Sequence, residues 1–167
     1  AEKVNLYVEN FSDVREATEP NVIGEGFVGV FNKRTPIATE DGIIEPSTQT
    51  LREAFSTAGF NVVMQEEDAD LVFKGRINSF WIQEMAVGTL SEHSVAEVEF
   101  DVAVVDRFHE KIIWFDVKRS RIKSGRSMDA THLNEETLNQ AFNKVVTSIL
   151  DDHDLRAAIS DFVRSKE

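Results

Sequence analysis

Residues 94–123 read SVAEVEFDVAVVDRFHEKIIWFDVKRSRIK, and this stretch decides the fold. Ala96, Val98, Phe100, Val102 and Val104 alternate with Glu97, Glu99 and Asp101, so an extended strand here has one apolar and one acidic face. Asp106 to Lys111 reads as a turn. Beyond it the spacing predicts a second strand, with Ile113, Phe115 and Val117 on one face and Ile112, Trp114, Asp116 and Lys118 on the other. A long antiparallel hairpin, one face packed and one face wetted, satisfies both patterns. Nothing in it is chemically reactive.

On the N-terminal side, Asp70 to about Glu84 predicts another long strand, with Leu71, Phe73, Ile77 and Trp81 on one face and Lys74, Arg76 and Asn78 on the other. Met85 to His93 reads as a loop joining it to the hairpin. Upstream, Phe60 to Val63 predicts a short strand, followed by an acidic turn at Glu66-Glu67-Asp68. Leu51, Ala54, Phe55 and Ala58 fall at helical spacing, with Ser47 placed to cap and Gly59 placed to stop the helix in a left-handed conformation. Val4, Leu6 and Val8 predict the first strand. The polar run Asn10 to Arg15 follows, in which Asp13 either pairs with Arg15 or closes an Asx turn.

On the C-terminal side, Ser124 to Leu133 is a polar connection, and Asn134 opens a helix with Glu135 and Glu136 in its first turn, where carboxylates complement the helix dipole. Its apolar stripe is Leu138, Phe142, Val145 and Ile149. Asp151-Asp152-His153-Asp154 interrupts it, as a kink or a break, before a second stripe of Leu155, Ala158, Ile159, Phe162 and Val163. Those aspartates read as a cap for the last helix in preference to a metal site. The predicted architecture is α+β: a mainly antiparallel sheet with helices packed on one face, Leu51, Phe55, Phe142, Val145 and Ile149 covering its apolar side. A single domain over residues 1–167 suffices, since a chain of this size buries roughly 70% of its unfolded surface.

Thirty acidic against eighteen basic residues leave a net charge of −12, which repels phosphate backbones and anionic headgroups, so no nucleic-acid partner is expected. The absence of cysteine excludes disulfides, thiolate metal sites and a thiol nucleophile. No apolar run of about twenty residues spans a bilayer. Ala1-Glu2-Lys3 lacks the regions of a signal peptide, as expected of a mature form. Gly24-Glu25-Gly26-Phe27-Val28-Gly29 spells G-x-G-x-x-G, but a dinucleotide fingerprint needs a strand before the glycines and a helix after them. Here Pro36 follows a further strand-like run, so a glycine-rich ribbon that binds no nucleotide is expected. Asn10-Phe11-Ser12 matches a glycosylation acceptor by letter alone.

Pro46-Ser47, Leu51-Arg52, Gly59-Phe60 and Ala69-Asp70-Leu71, with Asp13-x-Arg15 and the long strands before a C-terminal helical segment, resemble the landmarks of the YajG-type bacterial lipoproteins. The resemblance runs from about Val4 to Phe162. It implies a fold similar to the N-terminal domain of the translocation protein TolB, and a location on the periplasmic side of the outer membrane. It supplies no catalytic residue and no cofactor. The family's lipid-bearing cysteine has no counterpart in this sequence, so membrane contact is expected only through an anchor that this chain does not carry.

The expected function is a non-catalytic envelope lipoprotein domain serving as a protein-binding or assembly module. The alternatives are carriage of a lipid or small apolar ligand between sheet and helices, or a hydrolase using His93, His109, His132 or His153, none of which sits in a recognisable nucleophile motif. On the hairpin's outer face, Ala103, Val105, Ile112 and Trp114 would form an apolar island beside Lys74 and Arg76, with Trp114 as anchor. Arg76, Ala103, Val105, Ile112 and Trp114 are therefore the candidate residues for a protein partner or a second copy of the chain. Otherwise Phe27 to Phe31, or the first strand, folds over that face and buries Trp114.

Overall fold

The computed structural model describes residues 4–16, 19–28, 33–87, 90–125 and 130–166. In chain order its elements are β1 (Asn5–Val8), β2 (Ser12–Asp13), β3 (Val22–Val28), β4 (Lys33–Ala38), α1 (Ile44–Thr57) and β5 (Asn61–Val63), then β6 (Leu71–Val87), β7 (Leu90–Asp106), β8 (Lys111–Ser124), α2 (Ala130–Leu150) and α3 (His153–Lys166). A 3₁₀ turn, Glu66–Asp68, precedes β6. Gly29, Val30, Phe31 and Asn32 of the glycine-rich stretch lie outside the described residues.

β6, β7 and β8 form an antiparallel meander with β7 in the middle and β8 at the edge. The other edge of β6 receives three short strands in succession, all parallel to it: β1 at Leu71 to Phe73, β2 at Arg76 and Ile77, and β3 at Ile82 and Gln83. β5 adds parallel to β1, while β4 closes an antiparallel ribbon with β3. This corrects the mainly antiparallel sheet expected from the sequence. The class is α+β, but the sheet is mixed, and parallel pairings outnumber antiparallel ones four to three among the described residues. Period-two alternation specifies which face a side chain occupies and is silent on strand direction. Direction is set by connections, and the long crossover from β1 through α1 to β5 returns the chain parallel.

The three helices pack on one face. α2 lies across β7 and β8, α3 against β8, and α1 beside β5 and β1. Between them and the sheet, Ala96, Val98, Phe100, Val102 and Val104 of β7 are buried together with Leu138, Val145 and Ile149 of α2. Phenylalanine dominates this core. Phe60, Phe55, Phe73, Phe11, Phe100, Phe142 and Phe80 touch in sequence as one line of rings, with centroid separations from 4.9 to 6.3 Å.

Phe11, read from sequence as part of a polar run, is the middle ring of that line and is only 2% exposed. Its backbone N–H donates to Thr48 Oγ1 at 3.0 Å, and its ring lies on Gly75 of β6. A Cβ at position 75 would stand 2.4 to 2.6 Å from the ring carbons. Gly75→Ala is therefore expected to destabilise the fold by about 1–3 kcal/mol through overpacking, read as a lower urea midpoint at unchanged slope.

Two bulges change the facing of side chains. Asn78 is an extra residue in β6, and Ile113 is an extra residue in β8. After Asn78 the inward positions of β6 become Phe80, Ile82 and Glu84, which turns Trp81 outward opposite Glu97. After Ile113, Trp114 points inward opposite Val104, while Phe115 and Val117 point out. The Met85 to His93 loop is likewise corrected, because β6 runs on to Val87 and β7 begins at Leu90.

The starts of α1 and α2 differ from the sequence reading too. Ser47 does not cap α1: Ile43 holds the N-cap position with no side-chain bond, and Ser47 is buried inside the first turns. Gly59 takes the left-handed stop, at φ +94°. α2 starts at Ala130, so Glu135 and Glu136 lie beyond its first turn. Between α2 and α3 the chain breaks, and Asp152 Oδ1 caps α3 by accepting the Leu155 N–H at 2.8 Å.

Candidate functional site

The outer face of the meander carries the sequence-predicted residues, with one exception. Arg76 stands on it, its guanidinium 2.5 Å from Asp101 Oδ2, and Asn78 donates to the other oxygen of that carboxylate at 2.6 Å. Ala103 pairs with Lys74 and Phe115, and Val105 with Val72 and Ile112, so both are half-buried between neighbouring strands. Ile112 is 59% exposed. Trp114 is the exception: at 7% exposure it belongs to the core under the helices, with the Lys118 ammonium 5.9 Å from its ring centre.

The bulge that removes Trp114 puts Phe115, 57% exposed, and Val117, 46% exposed, in its place. The sequence reading assigned both to the core. Ile112, Phe115 and Val117 thus form an apolar row along β8, an edge strand whose one partner in the sheet, among the described residues, is β7. Charge borders the row. Lys74, Arg76 and Asp101 lie on one side, and Arg119, bridged to Glu97 at 3.1 Å and Glu99 at 3.4 Å, lies at its end. Phe108, at the β7–β8 turn, is 60% exposed, and Arg107 stacks over its ring at 4.3 Å.

The opposite face holds a cleft of about 700 Å³ between the β3–β4 ribbon, the start of α1 and the first half of α2. Its walls are mostly apolar: Ile23 and Ile37 from the ribbon, Ile43 at the head of α1, Phe80 and Ile82 from β6, and Leu138 and Phe142 from α2. Glu84 and Asn134 lie among its polar lining residues, with Thr35, Thr39, Thr50, Glu135 and Asn139. Asn134 Nδ2 donates to Glu84 Oε1 at 2.6 Å, and Ser94 Oγ donates to Asn134 Oδ1 at 2.5 Å, all three side chains being buried. Gly24 and Gly26 allow β3 to pass this close. A Cβ at position 24 would fall 2.0 Å from the Ile82 carbonyl oxygen, and one at 26 would fall 3.1 Å from the Glu84 carboxylate. Glycine is needed here for close approach of two backbones.

Polar clusters elsewhere are structural. Asp13 and Arg15 make a bidentate pair, at 2.9 and 2.8 Å, and the same guanidinium donates to the carbonyls of Pro20, Val22 and Phe80. Hydrogen bonding from Arg15, acting against partial burial, holds the Asp13 carboxyl below its ordinary range. Asp152 is pushed up by burial, but the bond from Lys118 and the Leu155 N–H outweigh this and leave it lowered. Asp106 is lowered in the same way by His109 and two backbone N–H groups that it ties into the turn.

The described histidine side chains, those of His93, His109 and His153, sit on separate elements. His93 is on β7, His109 on the β7–β8 turn and His153 at the start of α3, and the side chain of His132 lies outside the described residues. Among the described residues no group of three or more His, Cys, Asp or Glu is arranged to hold a metal ion. No helix among them is long and apolar enough to cross a membrane.

Residues 32–160 match the family Lipoprotein_16, described as "Uncharacterized lipoprotein". The chain belongs to that family. No curated protein matches it. Several solved structures share the fold of this lipoprotein at low identity. Protein XCC0632 from Xanthomonas campestris, assigned to the family DUF330, is 13% identical with a TM-score of 0.70, over 99% of this chain and 90% of that one. The hypothetical protein CT253 from Chlamydia trachomatis is 8% identical, with a TM-score of 0.53, over 89% and 96%. A PelC dodecamer from Paraburkholderia phytofirmans is 12% identical, with a TM-score of 0.51, over 90% and 88%.

Proposed function

We propose that this chain is a single-domain, non-catalytic envelope lipoprotein module that works by assembling with further copies of itself. The observation that carries the reading is the row Ile112, Phe115 and Val117 on the uncovered face of an edge strand, rimmed by charge. Monomeric surfaces seldom align large apolar side chains in this way, and an exposed edge strand is open to pairing. PelC, a protein of similar fold, is a dodecamer, which supports self-association here. Membership of a lipoprotein family and the YajG-like landmarks support a lipid anchor and a place on the periplasmic side of the outer membrane. Scattered histidines and carboxylates bound into structural pairs favour a binding role over hydrolysis.

Light scattering tests the assembly. The wild-type protein is expected to form an oligomer, and Phe115→Glu is expected to give a folded monomer, because Phe115 points to solvent. Added salt should strengthen the oligomer, since copies carrying −12 each repel one another. A wild-type monomer at high concentration, or an oligomer unchanged by Phe115→Glu, rejects the reading. Trp114→Glu would only unfold the chain, Trp114 being part of the core.

A further inference from the structure

We infer, building on the assembly proposed for this chain, that copies join head to tail, the basic end of β8 in one lying along the acidic edge made by β5 and the 3₁₀ turn in the next. Five of the chain's eighteen basic residues, Lys111, Lys118, Arg119, Arg121 and Lys123, stand on β8 against one acid, Asp116. In a chain of net charge −12 this is a local inversion of sign. Lys118 and Arg119 are held by carboxylates of their own chain, whereas Arg121 and Lys123 are exposed and make no ion pair among the described residues. This distribution disfavours pairing of β8 with its own copy about a twofold axis. Antiparallel strands would bring Lys111 of each toward Arg121 and Lys123 of the other, and parallel strands would set each cation beside its own counterpart. Like charges placed opposite destabilise a strand pair.

The complementary surface is at the other side of the sheet. β5 is bonded only to β1 among the described residues, and it runs in the same direction as β8, because β1, β5 and β8 are all parallel to β6. Val63 pairs with Tyr7, which places it on the outer face that also carries Ile112. Met64, 72% exposed, comes next. Glu66, Glu67 and Asp68 follow, all exposed and without an ion pair among the described residues. Along β8 the order is apolar and then basic, from Phe115 and Val117 to Arg121 and Lys123; along β5 and its turn it is apolar and then acidic. Laid parallel, the two edges therefore match apolar to apolar and cation to anion, and the contact continues the sheet from one copy into the next. Each copy uses one edge of each kind, so growth is directional and stops where a ring closes. Salt acts first on the repulsion between whole copies, because pairs held within a contact are screened less.

Charge reversal on the two edges tests the contact, with light scattering as the readout and far-UV circular dichroism as the check on folding. Arg121→Glu with Lys123→Glu, and separately Glu66→Lys with Glu67→Lys, should each weaken assembly at least ~10-fold. An equimolar mixture of the two folded variants should restore it, since each supplies the edge that the other's reversal fits. The chain has no cysteine, so a directional crosslink is also available. Met64→Cys and Val117→Cys should each stay unlinked alone under a short bismaleimide and become joined when mixed. A wild-type monomer overturns assembly and the head-to-tail contact together. An oligomer that Phe115→Glu dissolves but Glu66→Lys with Glu67→Lys leaves intact overturns the head-to-tail contact alone, as does crosslinking of Val117→Cys to itself, or a mixture of the reversed variants that stays monomeric.

Discussion

Phe100→Ala should lower the free energy of unfolding by about 3–5 kcal/mol, the largest loss expected from any single core truncation here. Phe100 is fully buried, and its ring joins Phe11 at 5.3 Å on one side to Phe142 at 6.1 Å on the other. It is the link between the N-terminal segment, the middle strand and α2. Removing it leaves a cavity where these three parts meet, and rigid strands on either side limit collapse into it. Urea unfolding followed by circular dichroism measures the effect. A midpoint equal to wild type would contradict the packing of β7 against α2.

Arg15→Met should cost about as much, roughly 3–5 kcal/mol, through a different mechanism. The Arg15 side chain is 5% exposed and Asp13 16%. Truncation strands a carboxylate and also leaves the carbonyls of Pro20, Val22 and Phe80 without their donor. Arg15→Lys should recover little, because an ammonium cannot reproduce the fork that reaches four residues. Acid should remove only the part of the difference that comes from Asp13. Asp13 titrates below its unfolded value in the folded chain, so its contribution is complete above about pH 4 and disappears as pH falls through the lowered folded pKa. The gap between wild type and Asp13→Asn should accordingly close on acidification. A gap that widened would reverse the assigned sign.

The meander was legible because its signal is local. Every inward residue expected on β7 from Ala96 to Val104 is buried, and the left-handed stop at Gly59 and the stripe of α2 were equally readable. The faces of β8 were not. Ile112-Ile113-Trp114-Phe115 is apolar throughout, so either register suits the pattern, and one bulged residue decides which side chains are wet. Glu84 was hidden for the same reason, since the bulge at Asn78 brings an acidic residue from the expected outer face to the inner one. The parallel pairings were out of reach because β1, β2 and β3 each bond to a strand far downstream, and alternation carries no record of a distant partner. The cleft walls come from four such remote segments: the ribbon, the head of α1, β6 and α2. The glycines at 24 and 26 were visible, but their purpose could be read only once β6 lay beneath them.

That shared edge has a consequence for how the molecule is made. A ribosome delivers β1, β2 and β3 before β6, yet each bonds to one side of β6, and a chain stopped anywhere before Leu71 has no such side to offer. Until then β2 and one edge of β1 lack their β6 partner, although β5 can already pair with β1 and β4 with β3. The later strands face no such wait, because β6, β7 and β8 pair with their immediate successors across short turns. The segments synthesised ahead of β6 therefore complete their pairing only after it arrives, and the order of manufacture runs against the order of assembly.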